Sequence, residues 1–267
     1  METATLSALL PAFALTLFAG LATALGALLT FVAQEKNDRL LSIGLGFSAG
    51  VMIYVSFVEI LVKSQTAFGQ KYGELTGELL GLIAFFAGIG LTALIDRLIP
   101  DNVNPHHALQ HNTQHTNTLS RVGLFTAIAI AIHNFPEGFA TFVMALEDMN
   151  TGVAIAFAIA IHNIPEGLAV ALPIYYATQN RQKAFLYATA SGLTEPVGAV
   201  VGYLLLAPLM GELTLGITFG VVAGIMVYIS FDELLPAARR YGDEHTAIGG
   251  VVAGMFVMAL SLILFKL

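Results

Sequence analysis

Between Ser7 and Ala33 the chain carries no ionisable side chain. About 20 apolar residues are enough for a helix to cross a bilayer, so this run reads as a transmembrane helix. No Lys or Arg precedes it, and it therefore lacks the basic leader of a cleavable signal. Further apolar runs lie at about 40–62, 76–99, 122–146, 151–177, 184–207, 213–236 and 246–265, each bounded by polar or charged residues. A soluble domain is not composed this way: 57% of the residues are hydrophobic, 11% are charged, and the mean hydropathy is +0.79. The expected fold is an all-α polytopic membrane protein, a single domain over 1–267 with eight spanning helices.

The basic residues orient those spans. With the N-terminus outside, Lys36, Arg39, Arg97, Arg121, Arg181, Lys183, Arg239 and Arg240 fall in cytoplasmic segments, while Lys63, Lys71 and Lys266 fall outside. Positive residues concentrate on the cytoplasmic side, so an even number of spans with both termini outside is expected. The net charge of −7 comes without any basic cluster, which argues against a nucleic-acid partner. With no cysteine there is no disulfide, no thiolate metal site and no cysteine nucleophile.

Within the apolar runs, one motif is written twice. AIAIHNFPEGFA at 129–140 returns as AIAIHNIPEGLA at 158–169, an offset of 29 residues. His133, Asn134 and Glu137 share one helix face by their three- and four-residue spacing, and His162, Asn163 and Glu166 do the same on the next helix. Pro136 and Pro165 remove backbone donors and release the carbonyls of Ile132 and Ile161 beside the histidines. Ionisable groups inside a membrane are costly, and by default they mark a functional site. Imidazole with carboxylate suits zinc and is tolerated by iron, manganese and other first-row divalent ions.

Span six adds a third acid, Glu195, followed by Pro196, with Ser191 one turn earlier on the same face. Three glutamates facing one another in lipid do not all stay ionised without cations. A binuclear site bridged by Glu137 and Glu166 answers this: one metal on His133 and His162, the other on Asn134, Asn163 and Glu195.

A second repeat pairs span two with span seven: AGVMIYVSFVEIL (49–61) aligns without a gap to AGIMVYISFDELL (223–235). The expected topology runs these spans in opposite directions, the signature of inverted repeats that place a transporter's substrate site near the midplane. Two such repeats around a central pair give a 3+2+3 arrangement. Glu59 and Glu233 occupy matched positions near helix ends, where a solvated carboxylate and a metal pathway are both open readings. Glu147–Asp148 reads as a solvated outer turn that mildly attracts cations.

The stretch 100–118 holds His106, His107, His111 and His115 in an Asn- and Thr-rich context. It reads as a flexible cytoplasmic loop with a weak capacity to capture metal. Deleting 106–115 is expected to leave basal metal uptake largely intact; complete loss would contradict that reading.

Other classes fit less well. A metalloprotease needs HExxH, which is absent. A di-iron oxidase uses Glu-x-x-His pairs, the reverse of the order here. A proton-coupled transporter of an organic solute, with the acids as relay, stays open. No nucleotide-binding loop is present to drive transport with ATP.

The doubled HNxPEG motif, the Glu-Pro of span six and the eight-span layout resemble the ZIP (Zrt/Irt-like) family of divalent-metal transporters, most closely its bacterial branch. The resemblance covers essentially the whole chain. It implies a transporter rather than an enzyme, in the bacterial inner membrane, importing divalent metal toward the cytoplasm. It also implies a homodimer in which spans one, four, five and six move as an elevator against spans two, three, seven and eight. Met52, ordinarily core filler, matches a methionine that lends a thioether to the metal in some relatives. The His–Asn pair in both copies fits a range of Zn2+, Fe2+, Mn2+ and Cd2+ rather than zinc alone.

Overall fold

The computed structural model describes residues 6–32, 38–98, 115–206 and 211–264. Among these residues the chain is helical and contains no strand, as hydrocarbon requires of backbone that must satisfy its own hydrogen bonds. In chain order the helices are α1 (Leu6–Val32), α2 (Asp38–Tyr72), α3 (Glu74–Leu98), α4 (His115–Glu147), α5 (Met149–Thr178), α6 in two parts (Arg181–Gly192 and Thr194–Leu206), α7 (Glu212–Tyr241) and α8 (Glu244–Leu264). Among the described residues, α1, α2, α3, α5, α7 and α8 are long and apolar enough to cross a membrane. Leu193 divides α6, and several α4 side chains lie outside the described set. α4 also starts earlier than the apolar pattern suggests, at His115 rather than near 122, so 115–118 are helical.

Short connections are fixed by local chemistry. Asp148 caps α5, accepting hydrogen bonds from the backbone N–H groups of Asn150 and Thr151; bonding with Thr151 holds its carboxyl below the usual aspartate range. Asn180 caps α6 through Lys183 N–H at 2.9 Å, and Asp243 caps α8 through Thr246 N–H at 2.8 Å. Gly73, at φ 89°, makes the tight reversal from α2 to α3.

The helices sort into two groups of four. In the first, α1, α4, α5 and α6 all pack on one another; the second holds α2, α3, α7 and α8. They meet where α2 and α8 pass α5 and where α4 passes α7. Met52 and Val55 of α2, Phe139, Val143 and Met144 of α4, Ile159 of α5 and Met226 of α7 belong to one buried apolar cluster spanning both groups. On the outside, Leu75, Ile83 and Phe86 of α3 and Val252 and Phe256 of α8 are exposed, as suits lipid-facing surfaces.

Within each group the helices meet backbone to backbone at glycines, the membrane substitute for hydrophobic driving force. A Cβ on Gly26 would stand 1.9 Å from the carbonyl oxygen of Ile164, and one on Gly167 1.9 Å from that of Thr23. Gly138 meets the Glu195 carbonyl and Gly198 that of Phe135 in the same way. In the second group Gly50 meets Val251, and Gly88 and Gly224 join α3 to α7. Across the boundary the glycine contact is looser: a Cβ on Gly44 would find Pro165 Cβ at 3.4 Å.

α2 and α7 each contain a π-helical turn, at Ser56–Ile60 and Ser230–Leu234. These are matched positions of the 49–61 and 223–235 repeat, so the similarity in sequence is also one of backbone. Ser56 donates to the Met52 carbonyl at 2.6 Å and Ser230 to that of Met226 at 2.7 Å. Such back-bonding serines bend a helix. A π turn inserts one residue and rotates the remainder of the helix by about 100°. Before its turn α2 packs on α8, α5 and the late part of α7; after it, on α3 and the early part of α7. α7 changes neighbours likewise, from α3 and the late part of α2 to α8 and the early part of α2.

Candidate metal site

The two HNxPEG copies lie inside continuous helices, α4 and α5. Asn134, Glu137, His162, Asn163, Glu166, Ser191 and Glu195 are all buried, none more than 3% exposed. The glycines of the motif explain how four helices come this close: Gly138 of α4 admits the α6 backbone at Glu195, and Gly167 of α5 admits α1 at Thr23. Glu195 itself stands in the first turn of Thr194–Leu206. There the unpaired N–H groups and the helix dipole favour a carboxylate, and Pro196 costs no hydrogen bond.

The two copies touch: His162 Nε2 lies 3.2 Å from Glu137 Oε1. Asn163 Nδ2 donates to the Ala19 carbonyl of α1 at 2.9 Å and to Glu195 Oε1. Asn134 Nδ2 donates to the Ser191 carbonyl at 3.2 Å. Each asparagine therefore commits its amino group to a helix carbonyl and turns its oxygen the other way. Asn134 Oδ1, Asn163 Oδ1 and Glu195 Oε2 are buried with no hydrogen-bond donor. Each such acceptor costs about 1–3 kcal/mol, and a cation would satisfy all of them. Among the described residues no three His, Cys, Asp or Glu side chains form a metal cluster on their own; the carboxamide oxygens lie outside that set of residue types. The His133 side chain lies outside the described residues, although its backbone is in α4 beside Asn134.

The remaining candidates from the sequence are more dispersed. Ser191 is buried, but its hydroxyl donates within α6 to Ala188 at 2.8 Å, and it is the backbone carbonyl that reaches the site. Met52 is fully buried on α2. Glu59 and Glu233 are half-buried, each within a π turn. Lys63 Nζ stands 4.0 Å from Glu59 Oε1. Glu147 is exposed at the end of α4, next to the Asp148 cap. His106, His107 and His111 lie outside the described residues, and His115 begins α4 with its side chain outside that set.

Two features of the site were not read from the sequence. One is Ser48 of α2, whose hydroxyl donates to Glu166 Oε1 at 2.9 Å; its only sequence signal is a polar residue one turn before Met52. The other is the break of α6 at Leu193, signalled by Gly192 and Pro196 on either side.

Comparison with known proteins shows the family. The profile of the ZIP zinc transporter family matches residues 100–262. The zinc transporter ZupT of Chlorobium chlorochromatii is 56% identical over 260 residues, covering 95% of this chain and 97% of that protein. The zinc transporter ZupT of Chlorobaculum parvum is 54% identical, covering 95% and 97%. The protein of the same name from Streptococcus mutans is 53% identical over 96% of this chain and 98% of its own. With similarity of this extent lying over a bundle of apolar helices that buries three acids, the chain belongs to the ZIP zinc transporter family and is a multi-pass membrane transporter, not an enzyme.

Proposed function

We propose that this protein imports divalent metal into the cytoplasm, zinc first, with iron, manganese and cadmium as alternative substrates. The observation that carries the reading is the set of buried oxygens on Asn134, Asn163 and Glu195 that have no donor, gathered beside Glu137, Glu166 and His162. Glu137 and Glu166 bridge two ions, one held by His133 and His162, the other by Asn134, Asn163 and Glu195. Mixed oxygen and imidazole donors without thiolate suit several first-row ions, which is why the range is broad. The names of the relatives put zinc first.

Eight helices cross the membrane in this reading, in a 3+2+3 order with both termini outside. The parts of α6, 12 and 13 residues long, together reach the length of a span. The π turns at matched repeat positions support the inverted repeat. Transport proceeds by an elevator movement of α1, α4, α5 and α6 against the other group, in a homodimer. The glycine contacts favour this division: backbone locks hold each group together, whereas ordinary side-chain packing separates them. Glu59 and Glu233 serve the outer and inner approaches, and Met52 faces the first metal.

The test is uptake of radioactive zinc, iron, manganese and cadmium by the purified protein in proteoliposomes. Saturable uptake of zinc, with the other ions competing, is expected. Folded protein that takes up none of the four would overturn the reading.

A further inference from the structure

Serine and threonine hydroxyls inside a helix usually bond back to a carbonyl three or four residues earlier. Thr16, Ser56, Thr141, Ser191 and Ser230 all do so here. Ser48 does not. Its hydroxyl donates across the boundary between the two helix groups, from α2 to Glu166 Oε1 of α5, at 2.9 Å with both side chains fully buried. A hydroxyl given to a carboxylate makes a charge-assisted bond, stronger than the local alternative it forgoes.

We infer that Ser48 is a positioning residue for the transport site, fixing the orientation in which Glu166 presents its carboxylate to the metal. The inference rests on Glu166 being a metal ligand. Carboxylates that bind metal are themselves held by hydrogen bonds, and losing such a partner typically weakens metal binding about 10–100-fold. A packing role would act differently. Alanine fills nearly the same volume as serine, so truncation there leaves the boundary packed and changes only the donor.

The experiment uses full-length wild type, Ser48→Ala and Ser48→Thr, with zinc binding measured by calorimetry in detergent and zinc uptake by concentration series in proteoliposomes. Ser48→Ala is expected to weaken zinc binding and raise KM by about tenfold, with maximal velocity little changed. Ser48→Thr, which keeps the hydroxyl, recovers most of the loss. Unchanged affinity and KM in Ser48→Ala would overturn the inference. So would a fall in velocity alone, or equal damage in both variants. Wild type that neither binds nor transports zinc would overturn the site reading along with it, whereas normal wild type beside an unaffected Ser48→Ala overturns this inference alone.

Discussion

Replacing Glu137 and Glu166 together by alanine is expected to abolish saturable zinc uptake while leaving the protein folded. The two acids belong to neighbouring helices and are at most 1% exposed, and Glu137 Oε1 lies 3.2 Å from His162 Nε2. Loss of an outer hydrogen-bond partner already weakens metal binding about 10–100-fold, and loss of two ligands exceeds that. Stability moves the other way. Buried carboxylates in a membrane are expensive unless a cation offsets them, so the metal-free double variant should melt no lower than wild type. Uptake and melting must therefore be measured together. Normal uptake at equal expression would remove both acids from the site; a collapsed variant would show that they hold the fold rather than the substrate.

Gly167→Ala is expected to be among the most damaging single-methyl changes in the chain. Its Cβ would lie 1.9 Å from the Thr23 carbonyl oxygen, a backbone atom that no rotamer change can move. For an ordinary contact α1 and α5 must part by about 1.5 Å, and overpacking of this kind costs about 1–3 kcal/mol or more. Gly90→Ala is the control: nothing lies within 4 Å of a Cβ there, and alanine is the better helix former by about 1 kcal/mol. Melting in detergent, with size-exclusion elution alongside, should show a large drop for the first and none for the second. Equal stability would contradict the close approach of α1 and α5. Because Gly167 is the residue directly after Glu166, the surviving Gly167→Ala protein should also bind zinc more weakly.

Much of the site is legible in the sequence because of its setting. His162, Asn163, Glu166 and Glu195 are conspicuous within long apolar runs, and the helical period puts His162, Asn163 and Glu166 on one face. The 49–61 and 223–235 similarity likewise points to related backbone, and both carry the π turn. Other parts have no such mark. The Ala19 carbonyl that orients Asn163 looks like any other helix carbonyl, and only packing selects it. Ser48 resembles other helical serines until α5 is laid beside it. The division of α6 at Leu193 leaves a mark in Gly192 and Pro196, but one that also fits an unbroken span, since a proline in the first turn and a glycine can both sit inside an apolar run. The partition of eight rods into two groups comes from resemblance alone; in the structure, backbone contact at Gly26, Gly138 and Gly167 accounts for one of them.

The phase shift within α2 and α7 has a mechanical consequence for the second group. Four parallel rods joined only along their sides can lean like a hinged rectangle. α2 and α7 run antiparallel and touch each other on both sides of their π turns, and together they grip α8 at one end and α3 at the other. Braces tied to one outer rod at the bottom and to the other at the top keep such a frame from leaning. α2, α3, α7 and α8 should therefore resist shear as a single body, so that any sliding strain in the protein is delivered to the boundary that Ser48 and Met52 share with α5 and α4.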